Sequence, residues 1–130
     1  MSEEIQTVLE ANDSFYRAFE KKDITAMNQI WWQGNGSICI HPGGNLIQGW
    51  DNIRSSWEII FQNTDYLEIN VEVMTTEVDY AIAQLVVREN VMQVQRRRKI
   101  QAQSLATNTF RKMAQKWYLV HHHGSPIMSN

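Results

Sequence analysis

The sequence predicts an α+β fold in which helices precede a mostly antiparallel sheet. Through residue 61, apolar residues recur every three or four positions, which is the period of amphipathic helices. From Tyr66 onward the apolar period is two, as in strands with one solvated face. Helices grouped ahead of consecutive strands are typical of domains whose helices cover one face of a sheet.

The helical part divides into three predicted helices. The first carries an apolar stripe at Ile5, Val8, Leu9, Phe15, Tyr16 and Phe19. Asp23 is a typical N-cap for the second helix, which ends at the segment Gln33-Gly34-Asn35-Gly36. The third begins after Gly49 and carries on one side Trp50, Ile53, Trp57, Ile60 and Phe61.

Between the second and third helices, residues 37–40 predict a short strand that stops at His41. Pro42 and the two glycines after it favour a sharp turn there. The longer strands are predicted around Leu67 to Val73, at Val78 to Met92, at Ile100 to Phe110 and at Trp117 to His123. Their tight connections imply antiparallel hairpins, and one connection holds the cationic run 96–99.

Composition limits the classes of function. A chain of 130 residues fits one domain, predicted at 1–130, and its net charge of −2 argues against nucleic acid as a partner. Cys39 is the single cysteine, which is typical of a reducing compartment, so we expect a cytoplasmic protein. No apolar run approaches the roughly 20 residues that span a bilayer, so no membrane partner is expected.

His41 is the first candidate for chemistry, because it places a titratable side chain at the end of a strand. A partly desolvated imidazole can take a proton from the carbon next to a carbonyl, or it can orient a ligand acid. The alternative is a strand-end histidine that hydrogen-bonds only to the backbone. Ser37 and Cys39 share the face of His41, and this face is small and polar rather than core-like.

Two polar residues on the predicted strands are further candidates. Glu89 is either a buried acid beside a histidine or a surface carboxylate paired with Arg88, because the pattern does not settle which strand face points inward. Asn108 can donate its amide to a ligand carbonyl, or it can make a cross-strand or dimer contact.

The run His121-His122-His123 places two imidazoles on one face of a strand and the third on the other. His121 and His123 form a pair that can chelate a metal, with His41 as a third ligand. Metal sites of this kind usually have a further ligand, and nothing in the spacing requires one, so no metal or cofactor is predicted. One face of this strand is expected to line a cavity or an interface. Trp31, Trp57 and Trp117 form either an aromatic pocket wall or part of the core.

The order of elements resembles SnoaL-like and ketosteroid-isomerase-like proteins of the nuclear transport factor 2 superfamily. The residues that carry the resemblance are Asp23, the His41-Pro42-Gly43-Gly44 turn with Gly49, Ile53 and Trp57 after it, and the closing segment 117–126. The resemblance implies a cone-shaped fold, in which N-terminal helices pack on a strongly curved, mixed, mostly antiparallel sheet around a cavity. It also implies a homodimer formed through the outer face of the sheet.

The isomerase site carries over position by position as part of this resemblance. His41 stands before Pro42 where the isomerases have their aspartate base. Asn108, three residues before Arg111, stands where they have a protonated aspartic acid that donates to the oxyanion. Phe15 stands in the place of their donor tyrosine, eight residues before the capping aspartate, and Tyr16 is predicted to point about 100° away from that direction.

These residues favour a small-molecule pocket protein whose partner is a small apolar or carbonyl-containing compound. One hypothesis is an isomerase, cyclase or lyase with His41 and Asn108 as catalytic residues. The alternative is a non-enzymatic ligand-binding or homo-oligomeric assembly module. The residues assigned to ligand binding are Tyr16, Trp31, Trp57, Glu89, His121 and His123.

Overall fold

The computed structural model describes residues 2–128, so Met1, Ser129 and Asn130 of the predicted domain lie outside the described residues. The helices are α1 (Ser2–Glu20), α2 (Ile24–Ile30) and α3 (Trp50–Asn63). The strands are β1 (Ile38–Ile40), β2 (Ile47–Gln48), β3 (Tyr66–Asp79), β4 (Ile82–Gln95), β5 (Arg98–Met113) and β6 (Lys116–Pro126). The predicted order of helices and strands is confirmed, with β2 as an additional short strand.

The strands form one six-stranded sheet in the order β2-β1-β6-β5-β4-β3. The four long strands pair as consecutive antiparallel hairpins, whereas β1 runs parallel to β6. The sheet is therefore mixed and mostly antiparallel, as predicted. None of the helices formed by residues 2–128 is long and apolar enough to cross a membrane.

Local chemistry explains where the shorter helices begin. The Asp23 side chain accepts a hydrogen bond from the Ala26 backbone N–H at 3.0 Å, which caps α2 as predicted. Gly49 precedes α3 with φ 85°, a backbone conformation that glycine adopts without steric strain. After the turn that follows β1, the chain passes through β2 into α3, and His41 contacts this helix at Ser56.

The hairpin turns are partly as predicted. Arg96 and Arg97 form the turn between β4 and β5 with φ 50° and 68°, so the cationic run lies at a hairpin connection. The prediction of one strand from Val78 to Met92 is wrong, because the chain turns at Tyr80, which has φ 53° and is 93% exposed. A turn made of tyrosine and alanine carries none of the usual glycine, asparagine or proline signals.

A bulge between β5 and β6 determines which side chains of β6 point inward. Thr109 pairs with His121 and Phe110 pairs with Leu119, so Val120 is an extra residue on the β6 side. An extra residue shifts the alternation of side chains by one position. Leu119 and His122 therefore lie on the inner face of the sheet, although they are three residues apart.

One hydrophobic core joins the inner face of the sheet to the helices. Its largest fully buried side chains include Trp31, Trp57, Phe15, Tyr16 and Phe110. Close packing also holds the turn after β1 against β6. A Cβ atom added to Gly124 would lie 2.8 Å from Cγ of Pro42, a separation that requires one of the two segments to move. This contact keeps the segment at His41 close to the strand that carries His122.

Candidate functional site

A connected group of five polar side chains lies buried between α1 and the sheet, and we call it the inner polar cluster: Asn12, Tyr16, Glu89, Asn108 and His122. Each is at most 2% exposed. The first two lie one turn apart on α1, so they share a helix face, and the others come from β4, β5 and β6 in turn. Burying polar groups is costly unless they are hydrogen-bonded, so the contacts within the cluster matter.

A continuous chain of hydrogen bonds connects the cluster. The Tyr16 hydroxyl donates to Oε2 of Glu89 at 2.5 Å. The Asn108 amide nitrogen donates to the Tyr16 hydroxyl at 3.1 Å and to Oδ1 of Asn12 at 2.9 Å. Nδ1 of His122 lies 2.6 Å from Oδ1 of Asn108. Of the two interpretations of Asn108, the contacts agree with a cross-strand hydrogen bond, made here to β6.

Burial shifts the pKa values of Glu89 and His122, the ionisable groups at the two ends of this hydrogen-bonded network. Burial raises the pKa of Glu89 to about 7, and the hydrogen bond from Tyr16 offsets part of that rise. Burial lowers the pKa of His122 to about 3. Burial, and next the charge of Glu89, raise the pKa of Tyr16. Near neutral pH the cluster therefore holds a neutral imidazole, a neutral phenol and a carboxyl group close to its titration midpoint.

The Glu89 carboxyl and the His122 ring face each other across a short gap. Oε2 of Glu89 and Nε2 of His122 are 3.9 Å apart, which is too long for a direct hydrogen bond. The structure settles the question of Glu89: it is the buried acid beside a histidine, and the exposed partner of Arg88 is Glu72 instead.

His41 lies directly after β1 and is half-buried. Its Nε2 is 3.0 Å from the Ser56 hydroxyl, which itself donates to the Ile53 carbonyl at 2.6 Å. Because that hydroxyl has a single hydrogen, Nε2 of His41 is the donor and Nδ1 is left with its lone pair. Burial lowers the pKa of His41 to about 4, so the ring is neutral at pH 7 and is able to accept a proton.

Trp57 connects His41 to the inner polar cluster. The His41 ring packs edge-on against the indole with centroids 4.7 Å apart, and the His122 ring lies 6.3 Å from the same indole. The indole is fully buried, and its N–H has no hydrogen-bond partner among the described residues. Trp57 thus belongs to the core and also forms the wall between the two histidines.

The structure does not bring His121 and His123 together with the other predicted site residues. The bulge at Val120 turns both side chains to the outer face of the sheet, where their ring centroids are 6.4 Å apart. His122 is the histidine that points inward. Trp31 is a core residue that stacks on Trp50 with centroids 6.2 Å apart.

Tyr16 points into the interior, although helix geometry predicts it about 100° away from the place of the donor tyrosine. Tyr16 and Phe15 are both fully buried, and it is the Tyr16 hydroxyl that contacts Glu89 and Asn108. The inner surface of α1 is wide enough to include adjacent positions, because α1 packs against the sheet as well as against α2 and α3.

Sequence reasoning missed Asn12, Ser56 and His122. Asn12 had a detectable signal, since it is the polar residue that interrupts the apolar stripe of α1, four residues before Tyr16. Ser56 stands next to Trp57 on α3 and has no such signal. His122 points inward because of the bulge, and no residue type in β6 indicates that a bulge is present.

The site lies apart from the main surface grooves. Four of the grooves formed by residues 2–128 are lined by other side chains, and none of these four is lined by His41, Glu89, Asn108 or His122. Within the same residues, no three His, Cys, Asp or Glu side chains converge in a way that could hold a metal ion. The side chains of the site themselves offer hydrogen bonding, and proton exchange at Glu89 and at the two neutral imidazoles.

The fold places the protein in the nuclear transport factor 2-like class of α+β domains. The chain belongs to the SnoaL-like domain family, whose model matches residues 8–129. These findings confirm the predicted family and fold class.

Three known proteins show what this chain is similar to. A protein from Streptomyces avermitilis, provisionally assigned as a dehydratase of the NTF2-like family, is 24% identical with a TM-score of 0.92, over 99% of this chain and 100% of that one. A provisionally assigned calcium/calmodulin-dependent protein kinase type II association domain from Thiobacillus denitrificans is 26% identical with a TM-score of 0.82, over 91% of this chain and 93% of that one. F-box protein SKIP8 of Arabidopsis thaliana is 24% identical over 95% of this chain, which spans about half (51%) of that curated relative.

Proposed function

We propose that the protein binds a small carbonyl-containing compound between α3 and the sheet and moves a proton on it, as an isomerase, cyclase or lyase. His41 is the base in this proposal. The observation that carries it is the inner polar cluster, which places a hydrogen-bonded acid and a neutral imidazole deep in a core where apolar side chains would pack at lower cost. A cytoplasmic location belongs to the same proposal, supported by the buried free thiol of Cys39.

The contacts of His41 support its role as base. Nε2 of His41 donates its hydrogen to the Ser56 hydroxyl. The lone pair of Nδ1 is therefore the one that takes a proton from a carbon next to the ligand carbonyl. The Glu89 carboxyl, when protonated, is the donor at the opposite end of the site. Asn108 has already donated both amide hydrogens, to Asn12 and to Tyr16, so it orients its neighbours instead of binding the ligand oxygen.

The ligand shares its space with Trp57 in this proposal. Between His41 and His122 the interior is filled by the Trp57 and Phe15 rings, which lie 5.8 Å apart. A ligand therefore enters only if the Trp57 indole shifts, and its unpartnered N–H is then a donor for a ligand oxygen. Two structural relatives support the chemistry by name, one as a dehydratase and another, from Erwinia carotovora atroseptica, as ketosteroid isomerase-like.

The test is exchange of α-protons with solvent. We expect the protein to catalyse deuterium incorporation from D₂O into at least one member of a panel of cyclic ketones such as cyclohexanone and 2-tetralone, followed by proton NMR. His41→Ala should lower that rate by about 10²- to 10⁴-fold, because a general base contributes that much. Ser55→Ala, an exposed neighbour on α3, is the control and should leave the rate unchanged.

Sedimentation of the same variants distinguishes the proposed enzyme from the alternative, a homo-oligomeric assembly module. His41→Ala should keep the oligomeric state of the wild-type protein. If no ketone exchanges, no compound is retained and His41→Ala instead breaks the oligomer, the enzyme proposal fails and assembly is favoured.

The second candidate function is homo-oligomeric assembly through the outer face of the sheet. That face leaves Ile82 and Leu105 50% and 42% exposed, and it carries His121 and His123. Exposed apolar side chains on a sheet face are typical of interfaces. The relative from Thiobacillus denitrificans, named as an association domain, adds support.

We expect a homodimer in sedimentation velocity experiments. Leu105→Glu should raise the dissociation constant of that dimer by about tenfold or more, because a charged, solvated side chain replaces an apolar one at the contact. Tyr80→Glu, at an exposed hairpin turn, is the control and should change the dissociation constant little. A wild-type protein that stays monomeric at all concentrations would rule out the assembly function.

A further inference from the structure

We propose that Asn12 and Asn108 are positioning residues that hold His122 as its Nδ1–H tautomer and leave the lone pair of Nε2 facing the Glu89 carboxyl. The use of this arrangement in catalysis rests on the proposed function above. The arrangement itself is a property of the ligand-free protein.

The proposal follows from counting the hydrogens in the inner polar cluster. The Asn108 amide nitrogen has two, and the two acceptors near it are Oδ1 of Asn12 and the Tyr16 hydroxyl. The Asn108 carbonyl oxygen then faces Nδ1 of His122 at 2.6 Å, and an oxygen without a hydrogen can only accept. Nδ1 of His122 must therefore carry the proton.

The other ring nitrogen is unprotonated as a consequence. His122 is 1% exposed, and its burial lowers its pKa, so the ring holds one proton at neutral pH. With that proton on Nδ1, Nε2 presents a lone pair. Oε2 of Glu89 lies 3.9 Å from it.

Asn12 is the residue that prevents the reverse arrangement. If the Asn108 amide turned over alone, its oxygen would face Oδ1 of Asn12, and two acceptors would meet at about the present 2.9 Å. An unsatisfied, repelling pair in a buried site is costly. The reverse arrangement therefore requires both amides to turn together, and a side chain at position 12 that can only accept would forbid it.

The arrangement gives Glu89 and His122 complementary roles. A protonated Glu89 is a donor and Nε2 of His122 is an acceptor, so a single hydroxyl or enol group of a ligand lying between them satisfies both. Such a group would have to be uncharged and able to donate and accept at the same atom. The proposed site thus selects a hydroxyl-bearing or enolisable compound over one that offers a carboxylate at this position.

Histidine ring ¹⁵N chemical shifts, measured in long-range ¹H–¹⁵N spectra of ligand-free protein, test the proposal. The His122 signals are assigned as those lost in His122→Gln. We expect wild-type His122 to carry its proton on Nδ1 at pH 7. Asn12→Asp keeps an acceptor and should retain that tautomer, whereas Asn12→Leu removes it and should lower the ratio of Nδ1–H to Nε2–H by roughly tenfold.

Each outcome bears on the proposal. A proton on Nε2 in the wild-type protein would overturn it, as would an unchanged ratio in a folded Asn12→Leu variant. If Asn12→Leu does not fold, the wild-type and Asn12→Asp spectra still decide, because both must show the Nδ1–H form. The measurement uses no ligand, so a failure of the ketone exchange experiment leaves its result unaffected.

Discussion

Replacing Glu89 by glutamine is expected to stabilise the protein at pH 8 by as much as about 3 kcal/mol and to change its stability little at pH 5. The pKa of Glu89 is raised by burial from 4.5 to about 7. The native state therefore binds a proton more tightly than the unfolded state does. The stabilisation from this group is fully present below pH 4.5 and is lost as the pH rises through 7.

Glutamine removes that loss because it is uncharged at every pH. Its carbonyl oxygen can still accept from Tyr16, and its amide faces the lone pair of His122. Urea unfolding at pH 5 and pH 8 measures the effect. Glu77→Gln on the exposed edge strand is the matched control and should change stability little at either pH. A Glu89→Gln variant that is less stable than wild type at pH 8 would contradict the expectation.

The two buried histidines produce the opposite trend at lower pH. Burial lowers the pKa of His41 and of His122 from 6.5 to about 4 and about 3. Their contribution is present above pH 6.5 and is lost as the pH falls from there toward the lowered values. Together, Glu89 and these two histidines favour a maximum of stability near pH 7.

Trp57→Ala is expected to lower the free energy of unfolding by about 3–5 kcal/mol, the usual cost of deleting a fully buried tryptophan. The indole contacts the rings of Phe19 and His41, both with centroids 4.7 Å away, and the Phe61 ring at 5.9 Å. Its removal leaves a cavity between α3 and the sheet.

Trp32→Ala provides the control for Trp57→Ala. Trp32 is 40% exposed and packs edge-on against Tyr118, with centroids 5.7 Å apart. We expect its removal to cost about 1 kcal/mol. Urea unfolding of both variants at one pH measures the difference, and equal losses would mean that Trp57 is not a principal contact of the core.

The fold was predictable because its signals are local. The Asp23 cap, the glycine before α3 and the alternation along β3 and β4 each specify an element from neighbouring residues. The family resemblance added the mixed sheet. The hairpin turn at Tyr80 was missed because its residues lack the usual turn chemistry.

The candidate site was only partly predictable, because its geometry depends on contacts between distant segments. Glu89 and Asn108 were identified as candidates, but their inward direction is set by sheet register. The two neighbours of His122 were predicted as site residues instead of His122, because a bulge of a single residue changes the face on which each side chain of β6 lies. Asn12 acquires a role only through Asn108, 96 residues away in the sequence.

Measuring the protonation state of Glu89 is the most direct test of the claim that the inner polar cluster holds a buried, neutral acid. In protein labelled with ¹³C at glutamate side chains, the carboxyl resonance that disappears in Glu89→Gln should report a protonated acid at pH 6 and should titrate near pH 7. A Glu89 resonance that already reports an ionised carboxylate at pH 5 would mean that this carboxyl is solvated and that the interior holds no neutral acid for proton transfer.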